Sequence, residues 1–131
     1  MSEENVESLR QIAEAWNRRD LQGWLELMHP EIKWIPARKR LDGGAYRGHS
    51  GMREYMADID TDYEGLMVKL DEVRDLGDTV VGLGRAHGRS AGGIPIDVPY
   101  GVVIGFRDGL AASGGTWFSH AEALEAAGLS E

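Results

Sequence analysis

The chain has 131 residues, 42% of them hydrophobic and 27% charged, with a formal net charge of −8 and no cysteine. That length is enough to bury a core as one domain over residues 1–131. The acidity argues against nucleic acid or an anionic membrane as a partner, since both need clustered Lys and Arg. The lack of cysteine excludes disulfides and thiolate metal sites.

The opening MSEENVESLR is acidic and carries no apolar core of a secretory signal. No apolar run approaches the roughly 20 residues of a membrane span, so a cytoplasmic location is expected. A first helix is predicted over residues 5–18, because Val6, Leu9, Ile12, Ala13 and Trp16 form one stripe at helical spacing. Arg18 and Arg19 close it with cations at the favourable end of the dipole. Asp20 suits the N-cap of a second helix over residues 21–29, which Pro30 stops. That places His29 at a helix C-terminus. A short strand follows over residues 31–36. Residues 37–48 read as a loop carrying Arg38, Lys39 and Arg40, with His49 exposed beyond it. Ser50 can cap a third helix over residues 51–63, with Met52, Tyr55, Met56 and Ile59 on its inner face.

Strands then dominate: residues 67–76, 79–89, 94–107 and 110–119, separated by glycine-bearing turns. The stretch 94–107 carries the clearest signal. Ile94, Ile96, Val98, Tyr100, Val102, Ile104 and Phe106 alternate with small or polar residues, which is a strand with one buried face. Residues 121–127 form a terminal helix. Helices first and an antiparallel meander after them give an α+β fold. Three helices are expected on one face of a strongly curved, mostly antiparallel sheet, forming a cone around a pocket, with a short C-terminal helix.

The segments Ala15-Trp16-Asn17-Arg18-Arg19-Asp20-Leu21, His29-Pro30-Glu31-Ile32-Lys33-Trp34, Tyr46 to Tyr55, Phe106-Arg107-Asp108-Gly109 and Glu122 to Leu129 resemble, in order, the SnoaL-like branch of the NTF2-like superfamily. The resemblance implies the cone and a homodimer through the outer face of the sheet. It does not fix an activity, because the superfamily hosts several chemistries. Ketosteroid isomerases carry carboxyl groups near the positions of Ile35 and Val102, and both are apolar here. SnoaL-type cyclases use an Asp close to where this chain has Ser119. Epoxide hydrolases of the limonene type hold an Arg and an Asp two apart on a middle strand, which Arg85 and His87 resemble with His in place of Asp.

In the strand 79–89, Val81, Leu83, Arg85, His87 and Arg89 share one face, and Val80, Gly82, Gly84, Ala86 and Gly88 share the other. If the first face lines the cone, Arg85 and His87 lie roughly 6–7 Å apart along the strand. Arg85 would then hold an anionic oxygen and His87 would move a proton. If the small residues face inward, both point to water. Ligand contacts are expected from Trp16, Met28, Trp34, Tyr55, Tyr100, Val102, Trp117 and Ser119. The four histidines have no metal-ligand spacing, so neither metal nor cofactor is expected. Glycine, at 18 residues, is about twice its usual share of ~7%. The glycines of the last two strands fit either close packing against a second subunit or an enlarged cavity. Two functions remain open. One is an acid/base enzyme (isomerase, cyclase, dehydratase or epoxide hydrolase) acting on an apolar cyclic, polyketide- or terpenoid-like molecule. The other is a small-molecule binder without chemistry.

Overall fold

The computed structural model describes residues 2–129. The chain runs α1 (Ser2–Arg18), α2 (Leu21–Glu26), β1 (Met28–Ile35), α3 (Ala37–Arg40), β2 (Tyr46–Arg47), α4 (Gly48–Asp62), β3 (Tyr63–Asp75), β4 (Thr79–Ser90), β5 (Pro95–Arg107), β6 (Leu110–Trp117) and α5 (His120–Ala126). One six-stranded sheet holds all strands in the order β2-β1-β6-β5-β4-β3. Its neighbours are antiparallel except β1 and β6, which run parallel. This is the expected α+β cone, with α1, α2 and α4 across the inner face of the curled sheet.

The α1 stripe packs as its spacing dictates: Leu9, Ile12 and Trp16 are buried in the main core with Trp24 and Leu25 of α2 and Met52, Tyr55, Met56 and Ile59 of α4. Polar side chains fix where α1 sits on the sheet edge. The Trp16 indole donates to the Leu66 carbonyl at 2.9 Å, and Asn17 both donates to Val68 O (2.8 Å) and accepts from Val68 N (2.9 Å). Asn17 thereby satisfies outward-facing backbone groups of β3, an edge strand. Arg19 adopts a left-handed conformation (φ 54°) and turns back over the Trp16 ring to pair with Asp60 of α4 at 2.8 Å. Asp20 caps α2 as expected, accepting from Gly23 N at 3.0 Å.

Several boundaries differ from the sequence reading. Chain that reads as helix end is strand from Met28 onward, and Pro30 sits inside β1. The register with β6 is interrupted between Met28 and Lys33, so Pro30 lies where no ladder hydrogen bond is asked of it. His29 is therefore on a strand, accepting from Glu31 N at 3.0 Å. The loop 37–48 contains the one-turn α3 and the two-residue β2. α4 starts at Gly48 without a side-chain cap, leaving Ser50 inside the helix. His49 is half-buried and bonds Met28 O at 2.8 Å.

Curvature is built into β3 and β4. The pairing register slips between Glu64 and Met67 and again between Leu70 and Glu72, so the longer β3 wraps around β4. Gly84 sits opposite the second slip, and a Cβ there would lie 1.8 Å from Lys69 O. On the outer face, α5 packs on Val81, Leu83, Val103 and Trp117 through Ala123 and Leu124. A Cβ on Gly101 would lie 2.5 Å from Ala123 Cβ. The register slip accounts for Gly84, and packing against a helix of the same chain accounts for Gly101, one of the glycines of the last two strands.

Candidate functional site

Inside the cone is a cavity of about 340 Å³, within the range of small-molecule sites. The β5 alternation puts Tyr100, Val102 and Ile104 on its wall, and the helices add Leu9, Ile12, Trp16, Trp24 and Tyr55. Met28, Ile32 and Trp34 of β1 complete the apolar lining. Of the expected ligand contacts, Trp16, Met28, Trp34, Tyr55, Tyr100 and Val102 are thus brought together around one space.

The others are not. On β4 the small-residue face points inward: Ala86 lines the cavity and Val80 joins the core. Arg85 and His87 project from the opposite face and are exposed, which corrects the expectation that they line the cone. Burying them would cost desolvation of the Arg85 charge, whereas outside Arg85 pairs with Asp97 at 2.6 Å. Trp117 and Ser119 are also displaced. On β6 the inward phase falls on Thr116, and Phe118 just beyond the strand also reaches the cavity. Trp117 packs under α5 with the Arg40 guanidinium 4.2 Å from its ring, and the Ser119 hydroxyl accepts from Glu122 N as the N-cap of α5. Phase in a period-two element is all or nothing, so one residue moves the whole set to the other face.

Tyr55 is the centre of the aromatic wall, with ring centroids 5.2 Å from Tyr46, 5.5 Å from Trp16, 6.1 Å from Trp34 and 6.4 Å from Trp24. Burial pushes its phenol up to about 12, and its polar neighbours Trp34 and Thr116 act the other way. Burial, with Tyr55 close by, raises the Tyr100 phenol as well. Both hydroxyls therefore keep their protons at neutral pH and can donate. Thr116 Oγ1 accepts from Ala37 N at 3.1 Å, leaving its own proton to give. The Trp34 indole lies close to the Tyr55 hydroxyl but outside hydrogen-bond geometry. Its Nε1 is the buried side-chain nitrogen or oxygen that finds no partner among the described residues.

The mouth has a different chemistry. Ala37 and Arg38 from α3, Asp62 and Tyr63 from the α4–β3 junction, and the half-exposed Phe118 line it. Arg38 and Asp62 form an ion pair at 2.5 Å across this opening. Partial burial pulls the Arg38 guanidinium down, but the hydrogen bond to Asp62 and nearby acidic groups outweigh it and raise it. Sequence reasoning missed Asp62 because it reads as one more polar residue at a helix end. Thr116 was missed because the phase of β6 was misread. Among the described residues, no three His, Asp or Glu side chains come together as metal ligands. No helix among them is long and apolar enough to cross a membrane.

Comparison with known proteins agrees with this geometry. The family model of the SnoaL-like domain matches residues 9–114, and the chain belongs to that family. An NTF2-like protein of unknown function from Burkholderia pseudomallei is 26% identical, with a TM-score of 0.81 over 95% of this chain and 97% of that one. TerC, co-crystallised with polyporic acid, is 27% identical, with a TM-score of 0.79 over 93% and 96%. A protein from a Jannaschia species, assigned as a SnoaL-like polyketide cyclase, shares the fold at 22% identity and a TM-score of 0.78 over 89% and 86%. No curated protein sequence matches the chain.

Proposed function

We propose that this protein, acting as one domain over residues 1–131, takes an apolar, ring-bearing small molecule of polyketide or terpenoid type into the cone. The observation that carries the reading is the cavity itself: about 340 Å³, walled by Trp16, Trp24, Trp34, Tyr55 and Tyr100 among aliphatic side chains. Such a wall rewards flat apolar rings through burial and offset stacking. TerC, a relative of similar shape, was crystallised with a small molecule, polyporic acid. The test is titration with fused-ring aromatics, following tryptophan fluorescence and Tm. Saturable quenching with a rise in Tm supports the reading; no response across the panel refutes it.

Asp62 favours a second reading, an enzyme of the isomerase, cyclase, dehydratase or hydrolase class. It is the carboxylate on the cavity lining, and a proton acceptor at the mouth with phenol donors inside is an acid/base arrangement. Deuterium exchange next to the carbonyl of a bound ketone, abolished by Asp62→Asn, would support it. Unchanged exchange in the variant would remove Asp62 from the chemistry. A second copy would dock on the outer sheet face left free by α5, where Met67, Arg85, His87 and Asp97 are exposed. Sedimentation of the wild type against His87→Glu checks that placement.

A further inference from the structure

We propose that Tyr100 is a specificity-determining residue of the cavity, and that its hydroxyl recognises an uncharged oxygen, a hydroxyl or a carbonyl, on the ring-bearing ligand. The inference rests on the cavity reading above and names the group that reads the ligand's polar atom. Tyr100 belongs to the inward set of β5, lies level with Gly84 of β4 and lines the cavity. The inward residues around it are Val98 and Val102 on β5 and Gly82, Gly84 and Ala86 on β4, and none carries a polar side chain. The hydroxyl accordingly finds no hydrogen-bond partner among the described residues. It is also open to the interior. Among the described residues, Trp34 Nε1 is the side-chain nitrogen or oxygen that is both sealed from water and unpartnered. The Tyr100 hydroxyl is unpartnered but not sealed, so a molecule in the cavity can reach it.

The surroundings of the phenol set the ligand chemistry. A phenol gives one proton and can accept another. Burial raises the Tyr100 phenol above its ordinary range, so at neutral pH the proton is there to give. Among the described ionisable groups, Tyr55 is the one that acts on it. An ionised substituent placed against Tyr100 would therefore shed its water and gain no counter-charge. A plain hydrocarbon would cover the phenol and leave it without a partner, which costs the desolvation of that group. A hydroxyl or carbonyl oxygen on the ligand accepts the phenol proton and removes that cost, while the aromatic wall takes the ring.

The experiment titrates the full chain with indane, 2-indanol and 2-indanone, which share one ring frame and differ in a single substituent, and repeats the titrations on Tyr100→Phe. That variant keeps the ring and removes the hydroxyl. The expected result is that it weakens 2-indanol, 2-indanone or both about tenfold and leaves indane within about twofold. Which of the two responds tells a ligand hydroxyl from a ligand carbonyl. In wild-type protein labelled with ¹³C at the tyrosine Cζ, the Tyr100 resonance should move with the oxygenated ligand and not with indane. The urea midpoint of the variant should match that of the wild type, since no hydrogen bond within the chain is lost. If the variant binds all three as the wild type does, or the Tyr100 resonance responds to all three alike, the assignment is overturned while the apolar cavity reading stands. If none of the three binds the wild type, both fall. The wild-type resonance decides the matter even where the variant fails to fold.

Discussion

Replacing Ala86 by Leu tests the inward phase of β4 and the reality of the cavity at once. Ala86 is 1% exposed and lines the space, so the new side chain has three carbons to place inside it. At about 0.8 kcal/mol per buried carbon the gain has a ceiling of about 2.4 kcal/mol. Freezing the Leu rotamers takes back about 0.5–1 kcal/mol. The net expectation is a stabilisation of about 1.5–2 kcal/mol, which for a domain of this size raises Tm by about 4–8 °C. The same substitution should abolish binding of fused-ring ligands by occupying their space. Urea unfolding gives the stability, and fluorescence titration gives the affinity. His87→Leu, one residue along on the outer face, is the control: binding unchanged, and stability altered by less than about 0.5 kcal/mol. The reasoning is refuted if Ala86→Leu destabilises by about 1–3 kcal/mol, the signature of forcing carbons into filled space.

Asn17→Ala removes both hydrogen bonds to Val68 on the β3 edge. We expect a loss of about 2–3 kcal/mol, with faster aggregation as that edge is uncovered; urea unfolding and light scattering check it. Gly84→Ala places a methyl 1.8 Å from the Lys69 carbonyl. It should cost about 3 kcal/mol or more by breaking the bulged pairing, measurable as a drop in the urea midpoint. The Tyr55 phenol is raised from 10.0 to about 12 in the folded state. Its protonated form is therefore the one the fold favours. That contribution is fully present below pH 10 and is lost as pH climbs toward 12, by at most about 2.7 kcal/mol. Stability measured across that range should fall, and Tyr55→Phe should flatten the part of the slope it owns.

Much of the architecture is legible because its signals are redundant. The β5 alternation fixes which residues line the cone, and the spacing of Leu9, Ile12 and Trp16 fixes the buried side of α1. The site was legible only where an apolar face has no rival. On β4 the two faces carry long polar residues and glycine or alanine, and local pattern does not say which one turns inward. The answer lies in packing: the small side chains leave room for the helices and the cavity, and α5 takes up Val81 and Leu83 on the other side. On β6 the run Gly114-Gly115-Thr116-Trp117-Phe118 lacks a polar partner set to anchor its phase. The larger Trp117 drew the reading, but it belongs under α5 and Arg40. Pro30 reads as a helix stop because its effect on a helix is strong, while a strand with a register break absorbs it without cost.

The parallel pairing of β1 with β6 has a consequence for the order of events in the cell. Met28 aligns with Ala111 and Ile35 with Gly115, so the two strands that meet under the cavity are made far apart in synthesis. Until β6 has left the ribosome, Trp24, Trp34 and Tyr55 belong to a half-walled structure with its apolar interior open to water. Loops of that length close slowly and late. The nascent chain therefore carries an open apolar interior until the β5–β6 hairpin is made, the kind of surface that invites aggregation. The cavity comes into being in one step, when the C-terminal hairpin arrives.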